Sequence, residues 1–187
     1  MNKRYFILIC LLLVGSVRAI SQDFDVVPKE ISVETGYRYV ISEQGGSLRY
    51  WQGAAVLADY AWRISGFNQR NGSLISIPLG YSYLVESDTA NARILYYGWT
   101  IRHLFAKDRR IIPFFGYALL LNQLHFNEIK GSAFGHQTRF EFGTNFNHGT
   151  RTLPFAKLEY SYSRIPRLGS SSSLKMHSVE FKVGLRF

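Results

Sequence analysis

Hydrophobic and polar residues alternate along most of the chain after about residue 30. The last nine residues, 179–187, show the pattern most plainly: every odd position is apolar, and every even position is Glu, Lys, Gly or Arg. A period of two over nine residues predicts a β-strand with one apolar and one polar face. This strand ends on an aromatic residue, Phe187.

The alternation predicts eight strands in all. The runs that carry it are residues 30–41, 53–65, 73–85, 92–105, 110–124, 137–147, 153–164 and 174–187. The fifth run is apolar on both faces, so its orientation stays open. Pro78 and Pro113 each remove a backbone donor, which predicts a bulge or a strand end at both positions.

The connections between these runs differ in length. Residues 66–72, 106–109 and 148–151 are short polar turns, whereas 42–52, 86–91, 125–136 and 165–173 are mostly longer and rich in Gly and Ser. An even number of antiparallel strands puts both termini on one side. With the C-terminus on the periplasmic side, both termini are expected there, and the longer loops then all fall outside the cell, as outer-membrane barrels arrange them.

The first 21 residues predict a secretory signal peptide. Lys3 and Arg4 precede an apolar stretch at 5–15, and small residues follow that predict cleavage after Ala19 or Ser21. Residues 22–187 are then expected to form a single barrel domain. The apolar stretch is too short for a transmembrane helix, and the single cysteine, Cys10, lies within it, so the mature chain is expected to contain no disulfide.

Composition and charge narrow the expected partners. Aromatic residues make up 16% of the chain, which fits the aromatic girdles of membrane barrels. Loss of Lys3, Arg4 and Arg18 with the signal peptide lowers the 22 basic residues to 19, against 13 acidic ones. Because the basic residues do not cluster, no nucleic acid is expected, and the phosphates of lipopolysaccharide are the expected anionic neighbours.

Alternation alone is also compatible with a soluble β-sandwich or a lipocalin-like barrel. The mature chain, however, resembles the small eight-stranded outer-membrane barrels of the OmpX and OmpA type and their lipid A-modifying relatives, with residues 74–81 and 112–116 similar to their strand starts. The resemblance implies an all-β, eight-stranded, antiparallel, up-and-down transmembrane β-barrel in the bacterial outer membrane. It also implies an assembly signal, read by the barrel-assembly machinery, in the apolar series Phe181, Val183, Leu185 and Phe187.

A barrel of eight strands is just wide enough to be filled by its own side chains. Charged residues inside it must pair, because an isolated buried charge is costly. We therefore predict a network of paired charges that fills the lumen, formed by Glu34, Arg38, Arg139, Glu141, Lys157, Glu159 and Lys182. The alternative is a narrow polar pore.

Two segments near the C-terminus, 158–169 and 176–181, resemble strands of the lipid A deacylase barrels. That family places a His-x-Ser pair on the membrane-facing side, and here Arg164 and Pro166 stand at those positions. Arginine stays protonated and proline has no nucleophile, so we predict no enzymatic activity. His177 and Ser178 could form a displaced site only if a bulge put them on one face, because adjacent strand residues face opposite sides.

No cofactor is predicted, since the five histidines lack the spacings of metal motifs. The resulting hypothesis is a non-enzymatic outer-membrane barrel with a structural or surface-interaction role, exerted through extracellular loops and contact with outer-membrane lipids and lipopolysaccharide. The predicted lipopolysaccharide contacts are Arg164, Arg167 and Lys175. A lipid A acyl hydrolase with a displaced site and a narrow pore are the alternatives, and the oligomeric state stays open.

Overall fold

The computed structural model describes residues 26–44, 47–64, 72–87, 90–105, 109–126, 132–147, 151–166 and 173–187. The predicted signal peptide lies outside these residues. The eight strands are β1 Val26–Gln44, β2 Ser47–Ile64, β3 Gly72–Ser87, β4 Ala90–Leu104, β5 Ile111–Phe126, β6 Ser132–Phe146, β7 Leu153–Ile165 and β8 Leu174–Arg186. No helix in the described part of the chain has the length and hydropathy needed to cross a bilayer.

Each strand pairs antiparallel with the next, and β8 pairs with β1, so the sheet closes into an up-and-down barrel. This confirms the predicted fold class. Starting at Val33 on β1, the register partners can be followed from strand to strand through β2 to β8 and back to β1. They return to β1 at Glu43, ten residues further along the strand. Such a stagger tilts the strands by about 40° and leaves an interior only wide enough for side chains.

The polar faces of the strands point into the barrel and the apolar faces point outward. On β8, Glu180 and Lys182 are fully buried, whereas Val179 and Phe181 expose 44% and 57% of their surface. A soluble barrel would show the opposite arrangement, because charged residues are rarely buried and water does not tolerate a continuous apolar surface. The chain is therefore a membrane-spanning barrel, and the soluble alternatives are excluded.

The structure also settles the orientation of β5. Its even-numbered residues, including Phe114 and Leu120, are buried in the lumen, and odd-numbered residues such as Leu119 and Leu121 face outward. Apart from Asn122, the large inward residues are apolar because they belong to packed clusters at the two ends of the lumen. A strand of this kind carries no alternation from which its orientation can be predicted.

The predicted difference in loop length is wrong. Strands β1 and β2 run through most of the predicted loop 42–52 and leave two residues between them, and β3 and β4 do the same in 86–91. The four gaps at this end of the barrel are two, two, five and eight residues long, and the three gaps at the end with the termini are seven, six and six residues long, so neither end has consistently longer connections. Backbone pairing does not require apolar side chains, so the ladders continue beyond the point where hydrophobic alternation stops. Loop length therefore does not orient this barrel.

The predicted bulge at Pro78 is also wrong. The register between β3 and β4 is the same on both sides of Pro78. The proline removes one backbone N–H donor from the ladder, and the strands keep their alignment without it. A register shift does occur between Val27 and Glu30 on β1, around Pro28. Pro113 lies near the start of β5, where its carbonyl accepts a hydrogen bond from Phe105 N–H at 2.9 Å.

Candidate functional site

The centre of the lumen is an ionic cluster around Lys157, which projects inward from β7. Its Nζ lies 2.6 Å from Glu34, 2.8 Å from Glu159 and 3.0 Å from Glu141. These carboxylates come from β1, β7 and β6, and the side chains of all four residues are at most 2% exposed. One ammonium group therefore pairs with carboxylates from three strands at once.

A second cation, Lys182 on β8, extends the network toward the other side of the lumen. Its Nζ lies 2.6 Å from Glu159 and 2.9 Å from Glu180. Arg38 Nε is 3.2 Å from Glu180, and Arg139 Nη1 is 3.4 Å from Glu159. The structure thus buries all seven residues of the predicted network and joins them through shared carboxylates.

The network contains three members that the prediction left out. Arg102 on β4 pairs with Glu141 and also lies 3.6 Å from Asp59 on β2, and Glu180 joins Arg38 to Lys182. Each of these residues lies on the polar face of its strand. That position was the signal that could have added them to the network.

Tyr96 is the lumen residue that sequence reasoning missed. Its ring lies between three cations, with its centroid 4.7 Å from Arg139, 5.6 Å from Lys182 and 6.0 Å from Arg38. Its hydroxyl accepts a hydrogen bond from Lys182 Nζ at 3.4 Å. Gly80 on β3 makes room for the ring, since a Cβ there would lie 2.1 Å from Tyr96 Cε2. The even position of Tyr96 on β4, shared with Arg102, was the available signal.

Apolar clusters close the lumen on either side of the charges. We call the end of the barrel with Phe187 the terminal end and the opposite end the distal end. The terminal cluster consists of Leu74, Leu104, Ile112, Phe114 and Phe155. The distal cluster includes Val40, Trp51, Leu84, Ile94, Leu124, Ile165, Leu174 and Met176. The ionic network is therefore enclosed between packed side chains.

Ser178 and His177 lie on opposite sides of the barrel wall. Ser178 is buried in the lumen, where its Oγ shares a hydrogen bond with Ser161 Oγ at 2.6 Å and accepts one from Arg38 Nη2 at 3.0 Å. His177 lies on the outer surface, where Nδ1 is 2.7 Å from the Tyr160 hydroxyl. The register of β7 and β8 continues without a bulge at this point. A hydrolase site that combines His177 with Ser178 is therefore incompatible with this geometry.

The outer surface carries a basic row at the distal end of β6, β7 and β8. Arg164 and Lys175 are register partners, and His136 is the partner of Arg164 on the other side. All three side chains are exposed. Pro166, which takes the place of the deacylase serine, is also exposed, whereas Arg167 lies outside the described residues.

The pairing of β8 with β1 that closes the barrel continues to Phe187. Ile31 N–H donates to a terminal main-chain oxygen of Phe187 at 3.2 Å, and Phe187 N–H donates to the Ile31 carbonyl at 2.8 Å. The side chains of the predicted assembly signal all lie on the outer surface: Phe181, Val183, Leu185 and Phe187. Among the described residues, no three His, Cys, Asp or Glu side chains are placed to hold a metal ion.

Comparison with known proteins identifies the fold. No protein-family model matches the sequence, and no curated protein matches it. Neisserial surface protein A has a similar structure, with a TM-score of 0.61, 12% identity, and coverage of 83% of this chain and 95% of that one. Ail, the attachment invasion locus protein of Yersinia pestis, has a TM-score of 0.50 and 18% identity, with coverage of 86% of this chain and 100% of that one. The outer-membrane enzyme PagL has a TM-score of 0.51 and 16% identity, with coverage of 82% of this chain and 97% of that one. The chain thus has the fold of the small outer-membrane β-barrels.

Proposed function

We propose that this protein is a non-enzymatic outer-membrane barrel with a permanently filled lumen, which acts through its outer surface and extracellular connections. The observation that carries the proposal is the ionic network of the lumen, closed on both sides by apolar clusters. Charges that are all engaged with one another are poor binding sites for a passing ion. The lumen then supports the barrel, and interactions with other molecules are left to the outside.

Conductance across a planar bilayer tests the filled lumen. We expect the refolded protein to give no stable, large single-channel steps, whereas a sixteen-stranded porin in the same bilayers gives them because its lumen is open. Unboiled samples should migrate differently from boiled ones on denaturing gels, which shows that the inserted protein is folded. Large steps from folded protein would replace this proposal with the pore alternative.

The proposal places both termini in the periplasm and the distal end at the outer leaflet. In this orientation the exposed Arg164 and Lys175 would lie near the phosphates of lipopolysaccharide. Arg167 follows two residues after the end of β7 and would contribute to the same contact. Protease accessibility on intact cells tests the orientation: a cleavage site inserted between β7 and β8 should be cut, and one inserted between β6 and β7 should be protected.

The absence of enzymatic activity is part of the proposal. The positions that resemble the deacylase pair hold Arg164 and Pro166, and the nearby Ser178 is bonded inside the lumen. We expect no release of fatty acid from lipid A by the purified, folded barrel, as measured by mass spectrometry. Loss of one acyl chain that Ser178→Ala or His177→Ala abolishes would establish the displaced-site alternative instead.

A further inference from the structure

We infer that the distal outer surface of β6, β7 and β8 binds the phosphorylated sugar headgroup of a membrane lipid, the chemistry that diphosphorylated lipid A presents. This inference rests on the proposed contact with lipopolysaccharide and gives it a defined place. It concerns the outer surface of three strands and does not depend on the lumen.

The basic row consists of three side chains that are neighbours across the strands. His136, Arg164 and Lys175 follow one another in register on β6, β7 and β8 and are all exposed. Directly opposed residues lie on the same face with Cβ atoms about 5 Å apart, so the row spans about 10 Å. A phosphate group placed on Arg164 would therefore lie within reach of a second cationic side chain.

From the basic row toward the terminal end, the outer surface becomes less polar from one row of register partners to the next. The next row contains Thr138, Tyr162 and His177, with the Tyr162 and His177 ring centroids 5.0 Å apart. Tyr160 follows one register step further toward the terminal end, where its hydroxyl bonds to His177 Nδ1 at 2.7 Å. The row after that is purely apolar and consists of Phe142, Leu158 and Phe181.

This order of cations, hydroxyl and imidazole groups, and then apolar side chains matches an amphiphile. Phosphates meet cations, a sugar meets hydroxyl groups and aromatic rings, and acyl chains meet the apolar rows. Aromatic residues with a polar tip are favoured at such an interface because one end is apolar and the other is hydrated. The match favours a lipid with an anionic sugar headgroup over a free anion.

The acidic residues of the same three strands are all inside the barrel. Glu141 on β6, Glu159 on β7 and Glu180 on β8 are buried and bound to lumen cations. The described outer surface of β6–β8 therefore carries cations without a carboxylate on these strands. Arg164 on β7 is the middle member of the basic row, with His136 on one side and Lys175 on the other.

Arginine and lysine suit this ligand in different ways. A guanidinium group can bind a phosphate through two parallel hydrogen bonds, and an ammonium group adds a point charge. At the boundary of a membrane, these interactions are screened less than in bulk water. Arg164 therefore supplies orientation and Lys175 supplies additional attraction.

The matched control is Arg93, an exposed arginine on the outer face of β4 near the distal end. Its register partner on β5 is His125, and no lysine or arginine of the described strands adjoins it in register. Arg93→Gln removes one positive charge, as each substitution of a basic-row residue does, from the same end of the barrel on another side. It separates a local site from a general effect of net charge.

The experiment measures the dissociation constant of detergent-folded protein for diphosphorylated lipid A, monophosphorylated lipid A and inorganic phosphate. We expect the double variant Arg164→Gln/Lys175→Gln to weaken binding of diphosphorylated lipid A by at least about tenfold. Arg93→Gln should leave binding unchanged, and monophosphorylated lipid A should bind more weakly than the diphosphorylated form. Inorganic phosphate should displace the lipid only at far higher concentration, because it lacks the sugar and the acyl chains.

The possible results separate this inference from the proposed function. Equal binding by the wild type and the double variant, or an equal loss in Arg93→Gln, would overturn the site while the broader lipopolysaccharide contact stands. Displacement by inorganic phosphate at concentrations comparable to lipid A would overturn the headgroup assignment. Failure of the wild type to bind any lipid A would remove both the site and that part of the proposed function. A heat-dependent gel shift for every variant ensures that folded barrels are compared.

Discussion

Lys157 and Lys175 lie on the adjacent strands β7 and β8, yet they occupy opposite environments. Lys157 is fully buried and shares its ammonium group with three carboxylates, whereas Lys175 is exposed on the outer surface beside Arg164. A lysine side chain therefore holds strands together at position 157 and is accessible from outside the barrel at position 175. In this barrel the charges that pair with one another are inside, and the charges that we propose to bind a lipid are outside.

The strongest test of this contrast is Lys157→Met, which keeps the volume of the side chain and removes its charge. Glu34, Glu141 and Glu159 would lose a common partner while they remain buried. Removal of one partner from a buried ion pair costs about 3–5 kcal/mol, so we expect a loss of that size in the free energy of unfolding, or a failure to refold. Urea titration in lipid vesicles, followed by the heat-dependent gel shift, measures the loss. A change below 1 kcal/mol would mean that the network contributes little to cohesion.

A second test targets the packing of Tyr96 within the network. In Gly80→Ala, the new Cβ would overlap the Tyr96 ring, which three cations hold in place. Overpacking of this kind costs about 1–3 kcal/mol. We expect the double variant Gly80→Ala/Tyr96→Leu to cost less than the sum of its single variants, since the smaller side chain relieves the overlap. Additive effects in the same urea titration would contradict the proposed contact.

The lumen and the strand ends differ in how far the sequence predicts them. The period of two puts Glu34 and Lys157 on inward faces, because alternate residues of a strand face opposite sides. Their 2.6 Å contact depends in addition on the stagger of the closed sheet, since β8 lies between β1 and β7. No local pattern encodes that stagger. The strand ends near Gln44 and Ser47 were missed because pairing persists where hydrophobic alternation has stopped.

Tyr96, the aromatic residue among the lumen cations, was missed for a different reason. Tyr96 lies between Leu95 and Tyr97 in a run of apolar and aromatic residues, so its inward position is hidden by its neighbours. Basic residues on the outer surface were identified individually, but their arrangement was not. Arg164 and Lys175 are eleven positions apart in the sequence and become neighbours only through the register of β7 and β8, and His136 joins them from β6.

A third test separates assembly in the cell from stability of the finished barrel on the outer face of β8. We predict that deletion of Phe187 blocks assembly, so that the truncated chain is absent from the outer-membrane fraction of cells. Deletion also removes two backbone hydrogen bonds to Ile31, each worth about 1 kcal/mol. Phe187→Ala is the matched control because it keeps both backbone bonds and removes only the ring.

If the ring is the signal, Phe187→Ala should fail to assemble in cells and yet refold in vitro with nearly the stability of the wild type. Normal levels of the deletion variant in the outer membrane would contradict an assembly role for Phe187, and normal levels of Phe187→Ala would contradict a role of its ring. A large loss of stability in purified Phe187→Ala would instead assign the ring to the folded barrel.

The smallest expected effect completes the comparison between the two lysines. Lys175→Met makes the same chemical change as Lys157→Met, but at an exposed position on the lipid-facing surface. Exposed ion pairs contribute little, and surface substitutions usually change stability by less than about 0.5 kcal/mol. We therefore expect urea titration of Lys175→Met, in vesicles without lipopolysaccharide, to match the wild type within that range. A loss comparable to that of Lys157→Met would show that the outer cations also stabilise the barrel. Their exposure would then no longer support the proposal that they bind a ligand.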